Sequence, residues 1–161
     1  MKKLLCALAI SAIAAPGLAF ADGGTSCATA QEIFSGGTYT GDTSTSTSFI
    51  GAFGGLPSPG PDLAFKFTAH NTQGAINVTI TGGWNAGAVI TAACAGNAGN
   101  PIQAGTGTAA FSVPVTGLTN DQQYFFYMTG NPSDNSGPSG AFGFTTPDPA
   151  LPVSLKDFSI D

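Results

Sequence analysis

The side chains in this sequence that could do chemistry are few and widely spaced. His70 is the single histidine, and a lone imidazole just past a strand is more often a surface group than a catalytic base. The nine carboxylates show no spacing that singles out the pair glycoside hydrolysis needs. No G-x-S-x-G element occurs, so the turn that exposes a hydrolase serine is missing. The chain is therefore expected not to be an enzyme. Hard oxygen ligands are better represented. Asp62, and Asp134 in the loop from Asn131 to Asn135, are the candidate metal residues, with calcium the one cofactor considered. Neither fits the D-x-[DN]-x-[DN]-G loop pattern, so Asx turns, in which Asp and Asn bond their own backbone, are the simpler account. For ligand binding the candidates are Trp84, the only tryptophan, and Tyr39. A Trp in the Gly/Asn turn from Gly82 to Gly87 either shows a flat face to a sugar ring or folds back to plug a sandwich end.

Cysteine usage and the first residues say where such a chain works. Met1-Lys2-Lys3 is basic, Leu4 to Ala15 is apolar, and Ala19-Phe20-Ala21 supplies a small-x-small cleavage pattern, which together read as an export signal. The apolar run falls short of the roughly 20 residues that span a bilayer. Cleavage before Asp22 would leave Cys27 and Cys94, an even count that in an exported chain predicts a disulfide. Closing that long loop would stabilise the fold by roughly 4 kcal/mol on chain-entropy grounds. Lys66 and Lys156 would then be the only basic side chains against nine carboxylates. Two scattered lysines cannot neutralise a phosphate backbone or an anionic bilayer, so neither nucleic acid nor a membrane is an expected partner.

The elements that must carry these residues are strands. Pro61 to Ala69 alternates, with Leu63, Phe65 and Phe67 on one face. His70 to Gly74 leads to a second alternating run, Ile76 to Thr81, and the pair is expected to form a central hairpin. Ser26 to Ile33 suggests one helical turn capped by Ser26, and Gly36 to Thr43 an edge strand. The Ser/Thr run from Thr43 to Ser48 reads as solvent-facing strand or loop. Ala88 to Cys94 is apolar on both faces and should be covered on both, as should Tyr124 to Met128. Ala95 to Gly107 reads as a loop of small residues. Ala110 to Thr116 places Pro114 opposite its apolar face, which suits an edge, and Ala141 to Thr145 adds a further short strand. Seven to nine short strands separated by turns predict an all-β protein, an antiparallel, jelly-roll-like β-sandwich. The expected division is a signal over 1–21, the sandwich over 22–145, and a Pro-rich spacer with a C-terminal strand over 146–161. In that last strand Val153, Leu155, Phe158 and Ile160 would pair within or between chains.

The order Cys27-Ala28-Thr29-Ala30, Tyr39-Thr40-Gly41-Asp42-Thr43, Pro61 to Thr68, Thr91-Ala92-Ala93-Cys94 and Gln123 to Gly130 resembles bacterial pre-peptidase C-terminal (PPC-like) domains. The resemblance covers roughly Cys27 to Thr145. It implies a non-catalytic, jelly-roll-like sandwich of the kind that accompanies exported enzymes, some of them resembling collagen- or carbohydrate-binding modules. The residues outside that stretch are not expected to form an enzyme domain, which would be a departure from the usual arrangement. Three functions follow as expectations for a secreted or periplasmic module. It binds an extracellular polymer, neutral carbohydrate or protein, or mediates adhesion. It self-associates as a structural surface or matrix protein. Or it assists a separately encoded secreted peptidase.

Overall fold

A computed structural model describes residues 23–53, 55–70, 73–94, 101–134 and 136–148. The signal expected over 1–21 and the C-terminal strand expected over Val153 to Ile160 lie outside them. The strands are β1 (Gln31–Glu32), β2 (Thr38–Asp42), β3 (Ala52–Phe53), β4 (Leu56–Pro57), β5 (Leu63–Thr68), β6 (Ala75–Ile80), β7 (Ala86–Thr91), β8 (Gln103–Gly107), β9 (Ala110–Pro114), β10 (Gln123–Gly130) and β11 (Ala141–Thr145). A five-stranded sheet runs β1-β5-β10-β7-β8, a four-stranded sheet runs β2-β11-β6-β9, and β3 and β4 form a small ribbon. β1 pairs in parallel with β5, and every other pairing is antiparallel. The chain is thus an all-β sandwich.

Period-two alternation explains the core. Leu63, Phe65 and Phe67 of β5, Phe126 and Met128 of β10 and Ile90 of β7 point inward from the larger sheet. They meet Ile76 and Val78 of β6 and Phe142 and Phe144 of β11 from the smaller one. Phe144 is the hub. Its ring lies 4.9 Å from Phe65 and 5.1 Å from Phe126, both edge-to-face, and 5.0 Å from the stacked ring of Tyr39, geometries that add to plain burial.

β7 is buried along its whole length and β10 along most of its own, because the larger sheet is covered twice. On its outer face Ala64, Val89 and Tyr127 meet Ile50 and Phe53 from the segment that precedes β5. That overhang explains why β7 and β10 are apolar on both faces.

Several local expectations are corrected. β5 and β6 do not form a hairpin; they lie in opposite sheets. The Ala69 amide donates to Gln122 O on the larger sheet's side, while Gly74 O accepts from Val115 on the other. Alternation fixes which face of a strand is buried but not its partner, and stacking the two apolar faces across the core buries both. Gln103 to Gly107 is the edge strand β8, not loop. Its glycines let it cross closely over β9, since a Cβ on Gly105 would lie 2.8 Å from the Phe111 ring and 2.9 Å from Ser112 O. β8 and β9, joined through Thr108 and Ala109, belong to different sheets and close one side of the sandwich. Leu56-Pro57 pairs briefly, as β4, with Ala52-Phe53. Ser26 and Thr29 form a turn rather than a helix, with the Thr29 amide donating to Ser26 Oγ at 3.3 Å. In the Ser/Thr run Thr43 is fully buried and opens a short 3-10 turn. Its Oγ1 accepts from the Gly140 amide at 3.0 Å.

Candidate functional site

The two cysteines are joined as expected, with their Cα atoms 5.7 Å apart. Beneath the bond, the Tyr127 hydroxyl donates to Cys94 Sγ at 3.1 Å. Burial pushes that phenol up to about 12, with Thr91 pulling back and the Asp62 charge adding to the rise.

Of the two readings for Trp84, the structure shows the plug. Positive φ at Gly82 and Gly83 swings the turn back, and the half-buried indole packs against the main core. Its Nε1–H donates to Ala141 O at 3.0 Å. The ring occupies the space a side chain at Gly140 would need, 2.5 Å from the position of a Cβ there. Tyr39, expected as a companion ligand contact, is a core residue with 2% exposure. Its side chain falls on the inward phase of β2, and its hydroxyl accepts from the Phe34 amide at 2.7 Å. Desolvation raises its pKa, and that amide opposes the rise.

The candidate metal residues are each held by separate partners. Asp62 is fully buried. Its Oδ2 accepts from the Phe49 and Ile50 amides at 3.1 and 2.9 Å, pinning the overhang to the start of β5. Desolvation lifts this carboxyl to about 6, against the pull of the nearby Thr129 hydroxyl and the two amides. Thr129 makes no well-formed bond to Oδ1, which is without a partner; its hydroxyl is paired with Ser58 Oγ at 2.9 Å. Asp134 instead closes an Asx turn. Its Oδ1 accepts from the Ser136 amide and hydroxyl at 3.1 and 2.7 Å, and its Oδ2 from Asn85 Nδ2 at 3.0 Å. These bonds hold it below the usual carboxylate range. Among the described residues no group of three or more His, Cys, Asp or Glu could hold a metal ion. His70 pairs at the surface with Asp121, Nδ1 to Oδ1, at 2.8 Å.

Described residues line two hollows, one on each outer face. The larger, about 370 Å³, lies on β7 and β8 beside the overhang. Its floor includes Gly87, Val89 and Ala104, and Leu56, 54% exposed, stands at its wall. Its rim amide Asn131 is already engaged, donating to Asn85 Oδ1 and accepting from the Ser133 amide.

The smaller hollow, about 200 Å³, is a trough on the outer face of the four-stranded sheet, lined in part by Thr38, Thr40, Asn77, Thr79, Gly143 and Thr145. Each of these takes the outward phase of its strand. Register sets them in rows across the strands: Thr38, Thr145, Asn77, Ser112 in one, and Thr40, Gly143, Thr79, Ala110 in the next. Strand spacing makes the step within a row about 4.8 Å. Ser112 Oγ donates to Asn77 Oδ1 at 2.8 Å, which ties the row together at β9. No charged side chain lines the trough. Asp42, a carboxylate on this face, ends β2 and accepts from the Ser44 amide and hydroxyl. Sequence reasoning missed this surface, although the outward polar phase of β2, β6 and β11 is visible in Thr38/Thr40, Asn77/Thr79 and Thr145.

Fold and site together define a small disulfide-linked β-sandwich with a trough on one sheet face that is lined by uncharged residues, several of them threonines. Comparison with family models, curated proteins and solved structures finds no match. Among the described residues no helix is long and apolar enough to cross a membrane.

Proposed function

We propose that the protein is an exported, non-catalytic module that binds a neutral extracellular polysaccharide through the outer face of its four-stranded sheet. The observation that carries this reading is the trough around Gly143, ringed by hydroxyls and an amide and free of charge. Neutral polyols are recognised by such donors and acceptors, and each contact is individually weak, so binding gains from a repeating ligand. The disulfide favours an oxidising compartment, and the PPC-like resemblance adds an exported setting. Trp84, packed into the sandwich end, takes no part.

The test is retention of the 22–161 protein on insoluble cellulose, chitin and collagen. Retention on a polysaccharide should be unchanged between low and high NaCl, since no ion pair is involved. Thr40→Val with Thr79→Val keeps shape and strand propensity while removing two hydroxyls, and should reduce retention severalfold. Passage of the native protein through every polysaccharide would overturn the reading, and capture by collagen alone would move it to a protein polymer.

A further inference from the structure

We infer that the ligand is a single extended β-linked glycan chain lying across the strands, about four sugars long in its contact, with one ring seated over Gly143. The inference rests on the proposed function and concerns the same face. Its basis is register. Thr38, Thr145, Asn77 and Ser112 stand side by side on four adjacent strands, one polar group per strand at steps of about 4.8 Å. That step is close to the advance per sugar of a fully extended β-linked pyranose chain. Such a chain meets one donor or acceptor per residue along the whole row. A coiled α-linked glucan curves away after one or two.

The second row supplies the seat. Gly143 stands between Thr40 and Thr79, directly registered with both, so a ring over it is flanked by a threonine on either side, with the Thr40 methyl toward the seat. Twist selects the form of the polymer. Adjacent strands turn by roughly 20–25°, so the row fans through a large angle over four strands. A single ribbon follows that fan, whereas a flat crystal face touches only part of it. Charge points the same way, because no cation lines the trough to meet a uronate or sulfate.

Gly143 offers a clean probe. Its φ is not positive, and a Cβ there would meet only Tyr39 O at 3.5 Å and Thr40 Cγ2 at 3.9 Å. Gly143→Val is therefore accommodated by a strand that favours β-branched residues, yet it fills the seat.

The experiment is titration calorimetry of the 22–161 protein with cello- and chito-oligosaccharides of two to six sugars, with maltotetraose as the α-linked control. In one of the β-linked series affinity should rise about three- to tenfold per added sugar, the yield of one good hydrogen bond, and level off at four. Maltotetraose should bind at least about tenfold more weakly than the β-linked tetramer. Gly143→Val should lose about tenfold in affinity with an unchanged melting temperature. Equal binding of maltotetraose, affinity independent of length, or an undiminished Gly143→Val variant would each overturn the inference. Any of these alongside retention on insoluble polysaccharide would leave the proposed function standing. Loss of both would remove the two together.

Discussion

Asp62 holds the overhang through two backbone amides while its other oxygen goes unmatched. Its folded-state pKa of about 6 stands above the ordinary 3.8. A carboxyl raised in this way binds its proton more tightly when folded. Its contribution to stability is complete below about pH 4 and is lost as pH rises through about 6. At neutral pH the buried charge costs at most about 3 kcal/mol, since a tenfold change in proton affinity corresponds to ~1.4 kcal/mol. Asp62→Asn keeps an oxygen for the amides and removes the charge. We expect it to be more stable than wild type at pH 8 and to lose most of the gain that wild type shows on acidification to pH 5. Urea unfolding across that range measures both, and a wild type that weakens steadily below pH 7 contradicts the assignment. The sequence marks Asp62 as an oxygen-bearing residue at the mouth of a strand. That the oxygen faces a buried clamp depends on the path of residues 47–58, and nothing in their Ser, Gly and Pro content specifies that path.

Elements were legible where both the apolar phase and its length were plain. β5, β6, β7, β9, β10 and β11 fall where alternation or continuous apolarity puts them. β8 was not, because Gln103-Ala104-Gly105-Thr106-Gly107 has no large apolar group to mark a face. Its glycines exist for the close crossing over β9. Sheet membership was also hidden, since period two carries no information on which strand lies alongside. The polar row shared this fate, for Thr38, Asn77, Ser112 and Thr145 converge only once the order β2-β11-β6-β9 is known. Trp84 was ambiguous because a glycine turn can swing either way, and the bare Cα of Gly140, distant in sequence, decides it. Trp84→Ala should cost about 2–3 kcal/mol in denaturant unfolding, less than a fully buried aromatic, and leave retention on polysaccharide intact. A stability change under about 0.5 kcal/mol, typical of a surface site, would show that the ring plugs nothing. Gly105→Val should destabilise more severely, since its Cβ would press on Phe111 and on backbone; a fully folded, equally stable variant would mean the β8–β9 crossing is looser than described.

For the molecule as a whole, the Cys27–Cys94 bond spans a sequence separation of 67 and ties the segment before β1 to the stretch after β7. On chain-entropy grounds its removal should cost about 4 kcal/mol. Cys94→Ala also strips the Tyr127 hydroxyl of a partner, so it should lower the melting temperature by at least as much as gentle reduction does. A melting temperature indifferent to both would mean that the second core beneath the bond carries the overhang unaided. The same bond has a mechanical consequence. When such a module is pulled by its two ends, tension passes from Cys27 straight to Cys94. The strands β1 to β7 lie inside the covalent loop and cannot be drawn out along the chain. About 230 Å of chain, at ~3.4 Å per residue, is thereby withheld from stretching, and only the portion carrying β8 to β11 can unravel.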